Sequence, residues 1–341
     1  MKTKNKTAYF EWLRIFASAA VVLMHTAAAV LNQLSVDAAP WQIVTIYDAL
    51  VRWPVPLFVM ITGAIFLPRK TSLKTVLLRY VPRMILCYLI WAWLFARYVR
   101  SQGAAPETFW HNIATGQYHL WYLPFLCGVY LTFPFLQKIA EDRKLTGQLL
   151  AVSLTVGSLI PWLADLAALL RPDWEPVLSA LKNHLNFSFF FDLMFVVVLG
   201  HVLNRREFTV LERWLLYLAG LASLVLTIMG TLQLSARAAK PISLFFSHSS
   251  PMNLCTAAAI FVFARYNLTR LPRFVEGLAA CSFGIYLSHA LLLVHLQDQN
   301  IHPLRWDPVW AVPVMAAAVF AVCALGTALF RKIPVVGKYL T

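Results

Sequence analysis

Charge is scarce in this sequence. Only 13% of its 341 residues are charged and the mean hydropathy is +0.66, where soluble domains carry about a quarter charged residues. A water-soluble globular domain is thereby excluded, and the composition is that of a polytopic membrane protein. Acidic residues are scarcer than basic ones, 15 Asp and Glu against 29 Lys and Arg. An excess of that size can signal nucleic acid. Here the basic residues fall in short loops between apolar spans, which is how orientation is encoded in membranes, so no nucleic-acid partner is expected. The five cysteines (Cys87, Cys127, Cys255, Cys281, Cys323) are scattered singly. No C-x-x-C or Cys/His cluster occurs, so neither zinc nor a disulfide framework is implied, and no metal is expected. An internal repeat is also lacking, which weakens a reading as an inverted-repeat transporter. With no long linker and no soluble domain expected at either end, residues 1–341 read as one transmembrane domain.

Apolar runs, by contrast, are abundant. Taking about 20 residues as the length needed to cross a bilayer, ten stretches qualify: 9–31, 42–67, 76–98, 118–137, 147–170, 184–204, 211–232, 243–264, 274–296 and 308–330. The eighth is interrupted by Ser243, Ser247, His248, Ser249, Ser250, Pro251 and Asn253. Loop charges set the orientation. Nineteen Lys and Arg fall on one side of this arrangement and seven on the other. The rich side is cytoplasmic by the positive-inside rule. The expectation is an all-α bundle of about ten transmembrane helices, both termini cytoplasmic.

The first span carries Glu11-Trp-Leu-Arg14 and then His25. Eleven steps at about 100° each are three turns plus a small remainder, so Arg14 and His25 share a face, roughly 16 Å apart along the axis. Ser18 and Val21 fall between them on that stripe. An arginine and a histidine among apolar residues are costly unless they face a protein interior or a watery cavity, so the pair is a candidate site. A cleaved signal peptide would also begin with lysines and an apolar run. Glu11 and Arg14 at the edge of that run, and the many spans that follow, argue against it.

Further polar residues lie in or beside the spans. Arg52-Trp-Pro-Val-Pro-Leu-Phe…Thr-Gly63 reads as a kinked helix that packs closely at Gly63. Arg79 and Arg83 stand one turn apart at the start of the third span; Arg83 suits a phosphate or an acidic partner such as Glu11. His119-Leu-Trp121-Tyr122 falls at the outer interface, where Trp and Tyr are ordinary belt residues and His119 is less ordinary. Asp192 and Glu276 read as interfacial acids. Ser282, Tyr286 and His289 recur at helical spacing on an apolar segment, suiting either interhelical hydrogen bonds or a site.

Together these segments resemble the membrane-bound acyltransferase-3 family. The resemblance rests on the Arg14–His25 spacing, Val55-Pro-Leu-Phe…Thr62-Gly63, the Arg79/Arg83 pair, His119-Leu-Trp-Tyr and Ser282-Phe-Gly-Ile-Tyr-Leu-Ser-His289. It spans nearly the whole chain, and the His-Leu-Trp segment is similar to that of members acting on surface glycans. Glu11 departs from the aspartate usual near the arginine. The resemblance implies an O-acyltransferase, moving acetyl or another short acyl group from acyl-CoA to a hydroxyl of a surface or lipid-linked glycan. Arg14, Arg79 and Arg83 would bind the donor. His25 with Arg14 would carry the chemistry, His25 acting as general base or as nucleophile. Glu11, His119, Trp121, Tyr122, Ser282, Tyr286 and His289 would serve the acceptor or support the site, with Tyr286, His289 or Arg83 as donors to a tetrahedral oxyanion. The alternative is a glycan or glycolipid transporter that lines its pathway with the same residues.

Overall fold

A computed structural model describes residues 7–69, 71–185, 193–334 and 337, and among these there is no β-strand. The helices are α1 (Ala8–Leu31), α2 (Ala39–Leu50), α3 (Pro54–Phe66), α4 (Leu73–Ser101), α5 (Thr108–Thr115), α6 (Tyr122–Glu141) and α7 (Arg143–Leu170). They continue with α8 (Glu175–Leu185), α9 (Met194–Arg205), α10 (Val210–Ala238), α11 (Pro251–Asn267), α12 (Arg273–Ala279), α13 (Ser282–Asp298) and α14 (Pro308–Phe330). Among the described residues seven stretches are long and apolar enough to cross a membrane, α2 and α3 counting as one, and the bent pair α12–α13 makes eight. Of the ten expected spans, the sixth is represented by the short apolar helix α9. The start of that span, including Asp192, lies outside the described residues.

The eighth expected span departs from the sequence reading. Its helix starts at Pro251, not near 243, because proline drives the residue before it out of the helical region. Ser250 accordingly has ψ 134°. The polar residues 243–250 therefore form a non-helical segment ahead of α11. Two other spans are broken. Between α2 and α3, Pro54 and Pro56 stop the helix and Val51 leaves helical geometry (φ −123°, ψ 42°). Between α12 and α13 the axis turns by 56°. Backbone freed in this way is tolerated at membrane depth where it is buried in protein or lines a cavity.

α1 is the hub. It contacts α2, α3, α11, α12, α13 and α14, and 61% of its most apolar 18-residue window is buried, against 17% for α10. The difference follows from residue type. α10 turns Leu211, Trp214, Leu218, Leu221 and Val225 outward, at helical spacing, and buries Gly220, Thr227, Thr231 and Ser235. Leucine gains nothing by leaving lipid, so small residues that allow close approach take the protein-facing side. The closest approach is between α3 and α9. A Cβ on Gly63 would lie 1.7 Å from the Val197 carbonyl oxygen, and one on Gly200 2.1 Å from that of Met60. The close packing expected at Gly63 is thus present, and it fixes α3 against the rest of the bundle.

Candidate active site

A cavity of about 490 Å³ runs beside α1, and both Arg14 and His25 line it, with Val21 between them. The shared face expected from the spacing is the cavity wall. Ser18, on the same stripe, is buried instead, its hydroxyl without a partner. Around the Arg14 end stand Arg83 from α4, Phe66, Tyr130 and, at the bend between α12 and α13, Ala279, Ala280 and Ser282. Around the His25 end stand Tyr118, His119, Trp121, Arg52 and His248. The two helix breaks therefore both open onto the same space. No acidic side chain is among the lining residues.

At the Arg14 end, one guanidinium nitrogen (Nη1) donates to both carboxylate oxygens of Glu11, each at 3.0 Å. The pair is partly exposed, with 35% of the Arg14 side chain and 27% of Glu11 accessible. Glu11 is thus taken by Arg14 and not by Arg83, whose guanidinium lies 5.4 Å from the Phe283 ring centre. Arg79 does not join them. It is exposed and off the cavity, while Arg83 lines it. Arg79 lies within a π-helical turn, Val76–Tyr80, that ends before Arg83.

The His25 end holds three imidazoles. The His25 and His289 rings stack at 5.2 Å and 25°, and His119 meets His289 edge-on at 5.1 Å. Tyr118 covers His25 at 4.8 Å. Hydrogen-bond partners assign two of the tautomers. Nδ1 of His289 lies 2.7 Å from the Tyr286 carbonyl and 3.1 Å from that of Ile285. Carbonyls only accept, so Nδ1 carries the proton and Nε2 is bare. Likewise His119 directs Nε2 to the Leu287 carbonyl at 3.4 Å, leaving Nδ1 bare. Both bare nitrogens are buried and unpartnered. His119 is only 3% exposed, within the bundle. Trp121 beside it remains 39% exposed.

Tyr286 holds this arrangement in place. Its hydroxyl donates to the His119 carbonyl at 2.5 Å. His289 likewise commits its one N–H to backbone carbonyls. Ser282 caps the bend through a 2.5 Å bond to the Ala279 carbonyl. Tyr122, from the first turn of α6, packs on Tyr286 at 5.9 Å and forms part of the wall.

Sequence reasoning passed over a further group. Arg52 lines the cavity, forms an ion pair with Asp48 and lies 3.8 Å from the Phe246 ring centre. Asp48 is fully buried, and the Arg52 side chain is 15% exposed. Removing one partner from a buried pair costs about 3–5 kcal/mol, because the other charge is left unmatched. His248 stacks on Trp121 at 5.2 Å and 20°. The signal was present in the sequence: opposite charges four residues apart within an apolar stretch mark a candidate ion pair. His248 gave none, since only the fold returns 243–250 to the cavity.

Comparison of the chain with protein families matches residues 7–328 to a family described as an acyltransferase domain, acyltransferase-3. The chain belongs to the acyltransferase-3 family. The matched region begins just before α1 and ends in the last turns of α14, so it contains every residue lining the cavity. No match was found among curated proteins or among solved structures. A multi-pass membrane acyltransferase is what this membership and the helical architecture support together. Among the described residues no cluster of His, Cys, Asp or Glu suits a metal ion.

Proposed function

We propose that this acyltransferase-3 protein moves an acyl group, with acetyl as the working case, from coenzyme A to a hydroxyl of a surface or lipid-linked glycan. The observation that carries the reading is one cavity lined by Arg14 and Arg83 toward one end and by His25 toward the other. Coenzyme A is a large thioester with phosphates remote from its acyl group. Arg14 and Arg83 suit the phosphates, since a guanidinium fork matches phosphate oxygens, and the thioester then reaches toward His25. The exposed Glu11 contact lets Arg14 exchange a weakly held partner for phosphate. The positive-inside count favours a cytoplasmic Arg14 end, where coenzyme A is found, and we take the membrane to be a bacterial inner membrane.

His25 is the group suited to the chemistry. As a base it takes the hydroxyl proton while the acceptor oxygen attacks the thioester carbonyl; the carbon–sulfur bond then breaks and the proton passes to the departing thiolate. As a nucleophile it displaces the thiol first and holds the acyl group until the hydroxyl removes it. Trapping separates the two: an acylated His25 peptide, formed with donor alone, requires the nucleophile. The reading is tested by acceptor-dependent release of free coenzyme A from acetyl-CoA by the purified protein, with mass spectrometry of the glycan for one added acetyl group. Movement of glycolipid across vesicles without any thioester turnover would replace this reading with the transporter alternative.

A further inference from the structure

We propose that the acceptor is acidic, and that Arg52 anchors its carboxylate or phosphate at the His25 end of the cavity while Trp121 carries the sugar ring. This rests on the reading of that end as the acceptor's. Arg52 is at the right depth: its neighbours Val51 and Trp53 pack on Ala20 and Met24 of α1, the turn that leads to His25. Its setting is that of a prepared anion site. Asp48 holds the guanidinium by one nitrogen, Nη2, from a fully buried position behind the cavity wall. Phe246 lies over its plane at 3.8 Å. Nε is buried without a partner, and arginine does not shed its charge to relieve this. One carboxylate contact leaves most of the five donors of a guanidinium unused, and its fixed plane suits two-pronged binding of an oxyanion.

The surroundings favour the same ligand. At this end the lining offers Arg52, His248, Tyr118, His119 and Trp121, but no carboxylate. Arg52 is the one formally charged side chain in this part of the lining, and it stands beside the Phe246 ring. The wall that carries Phe246 and His248 is tied down. Asn253 Nδ2 donates to the carbonyls of Phe245 and Ser247 at 2.8 Å each, and the Ser158 hydroxyl to that of Ser249 at 2.5 Å. Arg52 is therefore held against a rigid face. A purely structural clamp would need the Asp48 contact and Phe246, but it would not need Arg52 to line the cavity.

The test measures binding directly. Purified protein in detergent, without donor, is titrated with methyl glucoside, methyl glucuronide and glucose 1-phosphate. One of the two anionic probes should bind about tenfold or more tightly than the neutral one, as charge-assisted hydrogen bonds allow, and the better of them names the group. Because Arg52→Gln alone leaves Asp48 buried and unmatched, the decisive variant is Asp48→Asn together with Arg52→Gln, which keeps a hydrogen-bonded pair without charge. It should erase the anion preference and leave methyl glucoside binding unchanged. The preference should also persist when coenzyme A is in excess. Equal binding of neutral and anionic probes, a preference that survives the double variant, or displacement of the anionic probe by coenzyme A would each overturn the proposal. Failure of coenzyme A to bind at all would instead count against the donor site proposed above.

Discussion

At one end of the cavity Arg14 sits on an unbroken helix, and its partner Glu11 is still 27% exposed; at the other, Arg52 sits in a helix break with Asp48 wholly buried. Both are arginine–carboxylate pairs within one or two turns of sequence, yet their physics differs. An exposed pair is worth about 0.2–1 kcal/mol and rearranges readily. A buried pair is a fixture, because either charge alone is expensive. The first arrangement suits a group that must exchange its partner for a visiting phosphate. The second suits a group whose direction must not change. Local exposure, more than residue type, decides which role an arginine takes here.

The comparison can be broken at either end. The largest effect is expected for His25→Ala, which should lower acyl transfer by about 10²–10⁴-fold, the usual worth of a positioned general base, with the protein still inserted and folded; single-turnover transfer in detergent measures it. Next comes stability. Asp48→Ala should cost about 3–5 kcal/mol, whereas Glu11→Ala should cost about 1 kcal/mol or less, compared by thermal unfolding followed on size-exclusion chromatography. Equal losses would erase the distinction between the two pairs. Arg14→Ala should weaken donor use by roughly 10–100-fold, the value of a hydrogen bond to a charged group. It should act on the coenzyme A requirement, with Arg14→Lys in between because an ammonium lacks the fork. The smallest shift is for Trp121→Ala, roughly 3–10-fold on the acceptor requirement alone if a stacked ring is what is lost. A change in the donor requirement instead would assign Trp121 to the wrong end.

Periodicity exposed some of this in advance, and topology withheld the rest. Arg14 and His25 lie on one continuous helix, so counting residues sufficed to put them on one face, and the close packing at Gly63 was legible from a Thr-Gly pair in an apolar run. The break at 51–53 was readable from two prolines, but not that its arginine would turn inward. The span order put His119 at an interface but did not show its burial, where Tyr286 holds its backbone and His289 meets its ring. Arg79 and Arg83 show the limit most plainly. Their i,i+4 spacing predicts one face, yet Arg83 lines the cavity while Arg79, within a π-helical turn that no composition signal announces, is exposed. Contacts between segments distant in sequence, such as His248 on Trp121, had no sequence signal at all.

The central claim is that the imidazole of His25 acts chemically, and His25→Gln tests it most directly. Glutamine fills much of the same space and keeps hydrogen-bonding capacity, but it neither takes the proton nor carries the acyl group. The measurement is acceptor-dependent release of free coenzyme A by purified wild-type and variant protein, with donor binding measured alongside. The account predicts that donor binding persists while turnover falls by about 10²–10⁴-fold. Near-normal turnover in the glutamine variant would contradict it, and would leave His25 as a packing residue.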